Sequence, residues 1–293
     1  MVLEYFLIVI ATFLFSIQFI FSKKYQLCVG AGLEASFFQM AVSPIAFGVI
    51  LLIYSGFKIE FTWFSLLMSS CNVVINLVLT LFSLKALSKG SISNYSLYLL
   101  GGGMVIPVIF GACIGESFGV WKILSIACII VAILIKFNFK EKANFGAYVC
   151  FIMLFILNGL VGVVSSIHQK DVFGVGLSVS SHSYTIANLF LGAIVGAILF
   201  IALAVKKRKE IQLKSFLKAT PWTVLGGLCN GVGNFLLLLA LLKIDASMQY
   251  PIVTGGTIFL SAILPLIIYK ERLNAKGWIS VALAITGAII IIL

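Results

Sequence analysis

The sequence predicts an all-α membrane protein whose ten transmembrane helices form two inverted five-helix repeats. Three observations lead there. Of the 293 residues, 62% are hydrophobic and only 10% are charged, whereas a soluble domain is nearer half apolar and a quarter charged. The apolar residues fall into ten long runs, and the mean hydropathy is +1.20. Short motifs recur, in order, between the first five runs and the last five.

The runs cover residues 3–22, 33–55, 63–84, 91–113, 118–137, 144–165, 178–205, 219–240, 246–268 and 275–293. Each is long enough to cross a hydrocarbon core of about 30 Å as a helix. Helix is required because lipid cannot satisfy exposed backbone groups. A transmembrane barrel would show ~10-residue segments of alternating hydropathy, and the chain has none. Ten spans of ~20 residues leave roughly nine residues per connection, too few for a soluble domain. A soluble enzyme and a disordered regulator are poor readings of this composition.

The connections carry the charge. The first run ends at Lys23-Lys24, and Lys85 and Lys89 join the third to the fourth. Lys136, Lys140 and Lys142 follow the fifth run, the stretch Lys206–Lys218 follows the seventh, and Lys270, Arg272 and Lys276 follow the ninth. The alternate connections hold only Lys58, Lys122, Lys170 and Lys243, so the 20 Lys and Arg divide sixteen to four. The positive-inside rule then puts the basic loops in the cytoplasm and both termini outside, in the inner or plasma membrane. The net charge of +11 serves orientation. No nucleic-acid partner is expected, because phosphate binding needs a continuous basic surface. Lys206–Lys218 reads as a topology anchor, with anionic lipid as the alternative. No Lys or Arg precedes the first run and no small-residue cleavage site follows it, so no cleaved signal peptide is expected.

The six cysteines, Cys28, Cys71, Cys113, Cys128, Cys150 and Cys229, form no CxxC. They read as small packing residues and not as a disulfide or zinc framework. Neither a metal nor a cofactor is expected.

The third run contains Cys71-Asn72-Val73-Val74-Ile75-Asn76, and the eighth contains Cys229-Asn230-Gly231-Val232-Gly233-Asn234. Both are CNxVxN, 158 residues apart, and Lys85 pairs with Lys243 at the same offset. At an offset of 155, Tyr95 matches Tyr250, Gly101 matches Gly256, Glu116 matches Glu271 and Ser125 matches Ser280. In the first and sixth runs an offset of 143 pairs Tyr5 with Tyr148, Ser22 with Ser165 and Gln26 with Gln169. The implied halves are residues 1–142 and 143–293. Five spans is an odd number, so the second half is expected upside down relative to the first. Inverted repeats are an architecture of secondary transporters, with the solute site between the repeats near the midplane.

With these features the sequence resembles the drug/metabolite transporter superfamily, in particular its EamA-like families. Their halves end in a Pro/Gly-containing span, a short loop with a Gly-Glu or basic-Glu element, and a Gly-rich last helix. The counterparts here are Pro107 with Gly115-Glu116, and Pro265 with Lys270-Glu271-Arg272-Leu273, followed by Gly277 and Gly287. Two positions depart from the pattern. Phe15-Ser16 and Asn158-Gly159 stand where an aromatic-Gly pair is common in the first span, and Gln39 stands in the region of a common Arg. The resemblance implies a helical bundle around a central cavity, lined mainly by spans 1, 3, 4, 6, 8 and 9, with spans 5 and 10 peripheral. It also implies transport of a metabolite, with export favoured.

Candidate solute-binding residues follow from polarity inside hydrocarbon, where polar side chains face a partner or a cavity. Asn72 and Asn76 share a helix face, as do Asn230 and Asn234. Their amides donate and accept hydrogen bonds, which suits a polar or zwitterionic solute; interhelical bonding is the alternative. Tyr95, Tyr98 and Tyr250 offer an apolar face with a hydroxyl tip, and Pro251 after Tyr250 frees a backbone carbonyl. Gln18 and Asn158 lie on the two duplicated first helices and face the pocket if the resemblance holds. His182 reads as an interface histidine. Gly101-Gly102-Gly103 and Thr254-Gly255-Gly256 read as close packing where the halves meet.

Gly115-Glu116-Ser117-Phe118-Gly119 matches G-x-S-x-G, but a nucleophile elbow needs a strand–turn–helix context. Walker A and HExxH are both missing. No enzyme is expected. All nine acids fall at span ends or in loops, which argues against a lipophilic-cation exporter, and no basic residue sits mid-span to hold an anion. The expected partners are therefore a small neutral or zwitterionic, amino-acid-like solute and the lipid bilayer, with the chain a monomer or weak oligomer. Proton exchange and facilitated diffusion both stay open; the lack of a deep acid favours the latter or weak coupling. Multidrug efflux and a non-transporting scaffold or receptor are the competing readings.

Overall fold

In the computed structural model, residues 2–115, 119–136, 145–207, 212–240 and 246–290 are described, with side chains except at Val2, Lys136, Leu238 and 246–251. They form ten helices: α1 (Val2–Val29), α2 (Leu33–Tyr54), α3 (Trp63–Lys89), α4 (Ile92–Cys113), α5 (Val120–Lys136), α6 (Phe145–Gln169), α7 (Ser181–Lys206), α8 (Leu213–Ala240), α9 (Ala246–Ile268) and α10 (Ala275–Ile290). Glu116 and the Arg208–Glu210 part of the basic stretch lie outside the described residues.

The described residues are all-helical in their regular structure and suited to a membrane. Six helices (α1–α4, α6 and α7) are long and apolar enough to span one. α5 and α10 have 17 and 16 residues, roughly 25 Å at 1.5 Å per residue. α8 is long but carries Lys214 and Lys218 in its first turns and the Asn230–Asn234 pair further on. Large side chains such as Val9, Ile198, Val205, Leu217 and Ile267 point outward, an apolar surface too extensive for a water-soluble monomer.

Local chemistry sets the helix ends. Gly30, at φ +82°, stops α1 seven residues beyond Lys23; only glycine takes that conformation without strain. Thr62, Ser91 and Ser180 cap α3, α4 and α7, their hydroxyls accepting from the amides of Ser65, Asn94 and Ser183. Lys23, Lys24, Lys89 and Lys214 therefore sit inside helices that extend beyond the apolar runs.

The packing interleaves the first five helices with the last five: α1 on α8, α2 on α7, α3 on α6, α4 on α6, α1 on α9 and α5 on α10. α5 and α10 cross antiparallel through two hydrogen bonds. Ser125 Oγ donates to Gly287 O at 2.7 Å, and Ser280 Oγ donates to Ala132 O at 2.6 Å. Close crossings need glycine. A Cβ at Gly102 would collide with the Phe155 carbonyl of α6, one at Gly227 with the Ser43 carbonyl of α2, and one at Gly196 with Ala41. Gly101–Gly103 thus lets α4 settle onto α6, and Gly256 faces Thr12 of α1.

Aromatic contacts identify two ends of the bundle. At one, Phe38 near the start of α2 meets Phe200 near the end of α7 and Phe216 near the start of α8. At the other, Tyr54 ending α2 meets His182 starting α7, while Phe64 starting α3 stacks on His168 near the end of α6.

Candidate functional site

A cavity of about 800 Å³ lies among α1–α4 and α6–α8, within the size range of small-molecule sites. It takes in seven of the nine side chains singled out from the sequence: Gln18, Asn72, Asn76, Tyr95, Asn158, Asn230 and Asn234. Tyr98 is not brought there. It is buried in the core and stacked on Phe151 of α6 at 5.2 Å, because the face of α4 that carries it packs onto α6. The side chain of Tyr250 lies outside those described. α5 and α10 contribute nothing to the described lining, and neither does α9, which was expected there; α2 and α7 stand in the wall instead.

The two CNxVxN motifs have the same local geometry. Asn76 Nδ2 donates to the Asn72 carbonyl at 2.9 Å, and Asn234 Nδ2 donates to the Asn230 carbonyl at 2.8 Å. In each motif the first asparagine reaches across to other helices. Asn72 Nδ2 donates to Ser165 Oγ of α6 at 3.1 Å and to Tyr184 Oη of α7 at 2.9 Å. Asn230 Nδ2 donates to Gln18 Oε1 of α1 at 2.7 Å. Cavity lining and interhelical bonding are therefore one arrangement. Asn158 likewise lines the cavity while donating to the Leu99 carbonyl of α4 at 2.8 Å. Tyr95 donates weakly to Ser83 Oγ at 3.4 Å and holds Phe19 edge-on.

Sequence reasoning missed the walls formed by α2 and α7. Gln39, Ser43, Tyr184, Thr185 and Asn188 all line the cavity. None belongs to a repeat, but amides and hydroxyls inside the second and seventh apolar runs were the available signal. His182, expected at the membrane interface, also lines the cavity. The sequence reading also passed over a buried network behind the α3–α6–α7 wall. His168 is fully buried, shares a 2.8 Å hydrogen bond with Ser65, and stacks on Tyr184 at 4.0 Å. Glu4, expected at a span end, lies in the first turn of α1 but is buried.

The cavity is sealed at the Phe38–Phe216 end. The lining there includes Leu84, Leu87, Tyr95 and Thr223, all buried. The ends of four helices are tied together behind them. Lys23 Nζ donates to the Leu87 carbonyl at the C-terminus of α3. The Glu271 carboxylate accepts from the Ile92 amide at the N-terminus of α4 at 3.1 Å. Each charge faces the helix end that favours it. Tyr269 donates to the Ile20 carbonyl of α1 at 3.1 Å. Burial, and to a lesser degree Glu271, pushes its hydroxyl up to about 12, so it remains a donor at physiological pH. Toward the opposite end Gln169, Ser181, Asn230 and Asn234 are exposed, and there the cavity opens.

No family model matches this sequence, and no curated protein does. Among solved structures, one described only as "Crystal structure of protein" has the same overall fold, with a TM-score of 0.55 and 13% sequence identity over 96% of this chain and 97% of that one.

Proposed function

We propose that this chain is a secondary transporter of the drug/metabolite type, moving a small uncharged or zwitterionic metabolite across the cytoplasmic membrane, with export favoured. The observation that carries this reading is the 800 Å³ cavity walled by amides from both halves of the sequence. A scaffold has no use for such a chamber, and transport needs no catalytic step.

Two inverted halves, 1–142 and 143–293, are part of the proposal. The α5–α10 hydrogen bonds support it. Ser125 and Ser280 are 155 residues apart, and so are their acceptors Ala132 and Gly287, as a two-fold axis between antiparallel helices requires. The packing of α1 on α8 has its counterpart in α6 on α3, and that of α4 on α6 in α9 on α1. Alternating access then consists of the two halves rocking around the cavity. Lys23, Lys24, Lys85, Lys89, Lys206, Lys214, Lys218 and Lys270 gather at the sealed end. By the positive-inside rule that end faces the cytoplasm, so this conformation opens outward.

The size of the cavity leaves room for multidrug efflux, but its amide lining opposes a lipophilic cation. Flux into proteoliposomes tests the reading. Saturable uptake of one metabolite class, absent from protein-free liposomes, is expected. Uptake of lipophilic cations alone would favour efflux, and no flux of any class would remove the transporter assignment.

A further inference from the structure

The main cavity has a side pocket of about 240 Å³ between α2, α3 and α7. The two share Gln39 and Ser43 of α2, Asn76 and Thr80 of α3, and Asn188 of α7. Three amides and two hydroxyls thus converge on a volume that holds one ring or a few polar groups. Two of the amides are incomplete. Gln39 Oε1 and Asn188 Oδ1 are buried and have no hydrogen-bond partner among the described residues. Leaving a buried acceptor unsatisfied is costly, so a site that keeps two of them is shaped for a ligand that donates. The nitrogen of Asn188 is already used, donating to the Tyr184 carbonyl at 3.2 Å, and that of Asn76 is engaged with Asn72. The carbonyl oxygens of Gln39 and Asn188 are left for the ligand.

The charge inventory points the same way. Among the described residues, no Asp, Glu, Lys or Arg lines either cavity. A carboxylate placed here would meet unpaired amide oxygens, and an ammonium would find no counter-charge; burying an unpaired charge is far more costly than burying a hydrogen-bonded neutral group. Hydroxyls and neutral N–H groups match both the polarity and the direction of the free acceptors.

We infer that the solute is uncharged and rich in hydrogen-bond donors, a polyhydroxyl or neutral heterocyclic compound, and that its donor-bearing end docks in this side pocket against Gln39 and Asn188. This rests on the transporter reading and narrows it by removing the zwitterion.

Binding and flux are measured separately on the purified full-length protein. Thermal stabilisation is read with four probes: glucose, uridine, glutamine and tetraphenylphosphonium. Saturable stabilisation by glucose or uridine, and not by the other two, is expected, because a ligand that binds only the folded state raises its melting temperature. Which of the two stabilises distinguishes a polyol from a heterocycle. Stabilisation by glutamine or tetraphenylphosphonium in place of both uncharged probes would overturn the inference, as would no stabilisation by either uncharged probe. The near-isosteric Gln39→Met and Asn188→Leu are each expected to weaken binding about tenfold; unchanged affinity would remove the side pocket from the site. Where either fails to fold, Ser43→Ala and Thr80→Val trim the same pocket with less disturbance, and unchanged affinity in both would likewise remove it. Binding of an uncharged probe without its flux in proteoliposomes would keep the solute class and refute transport.

Discussion

One six-residue motif, present in both halves of the chain, builds two unlike walls. Around Asn72 the wall is dense: its amide bonds Ser165 and Tyr184, Tyr184 stacks on His168, and His168 bonds Ser65. Around Asn230 the wall is open: the side chain is exposed and, among the described residues, bonds only Gln18 and its neighbour Asn234. The contrast extends outward. Phe64, Ser65 and His168 cluster at the open end of the cavity. The residues offset from them by 158 and 143 are Trp222, Thr223 and Tyr25, at the sealed end. There Tyr25 turns to the Ala35 carbonyl at 2.6 Å, Lys24 lies over the Trp222 ring at 4.3 Å, and Thr223 Oγ1 has no partner among the described residues. The motif sets which face of the helix is polar; the neighbouring helices decide whether that polarity holds the fold together or faces the cavity.

Substitutions that break this contrast should differ in size. His168→Ala removes a ring held between Phe64 and Tyr184 and leaves Ser65 short of a partner. It should cost roughly 3–5 kcal/mol, the scale of truncating a buried aromatic, and unfolding in mixed micelles would register it. Asn72→Ala should cost about 1–3 kcal/mol, since Tyr184 and Ser165 lose a buried partner, with the same readout. Tyr25→Phe keeps its ring and loses one hydrogen bond, for about 1 kcal/mol; an equal or larger loss than for His168→Ala would erase the difference between the two ends. Asn230→Ala should change stability least, by about 0.6 kcal/mol, the mean for a polar contact between membrane helices. A loss matching that of Asn72→Ala would mean that both walls are structural.

Much of the fold was legible because hydropathy reports lipid exposure directly. All ten helices appear within a few residues of their apolar runs, except where charge extends a helix past the membrane. α8 begins at Leu213 and not near 219, and α1 continues through Lys23-Lys24 to Gly30. The asparagine pairs were legible because they repeat. Gln39 and Asn188 were not, since neither recurs in the other half of the sequence, and the Ser65–His168–Tyr184 network was not, since its members come from three different helices. Tyr98 was misread because spacing of three along a helix leaves neighbouring residues about 60° apart, enough for Tyr95 to reach the cavity and Tyr98 the α6 interface.

The most direct measurement is uptake of the stabilising probe into proteoliposomes carrying wild type, Asn72→Ala or Asn230→Ala, alongside the unliganded melting temperature of each. The account predicts that Asn230→Ala melts like wild type yet loses most of its uptake, whereas Asn72→Ala melts lower. Wild-type uptake by Asn230→Ala would contradict it, because the exposed amide wall would then take no part in handling the solute.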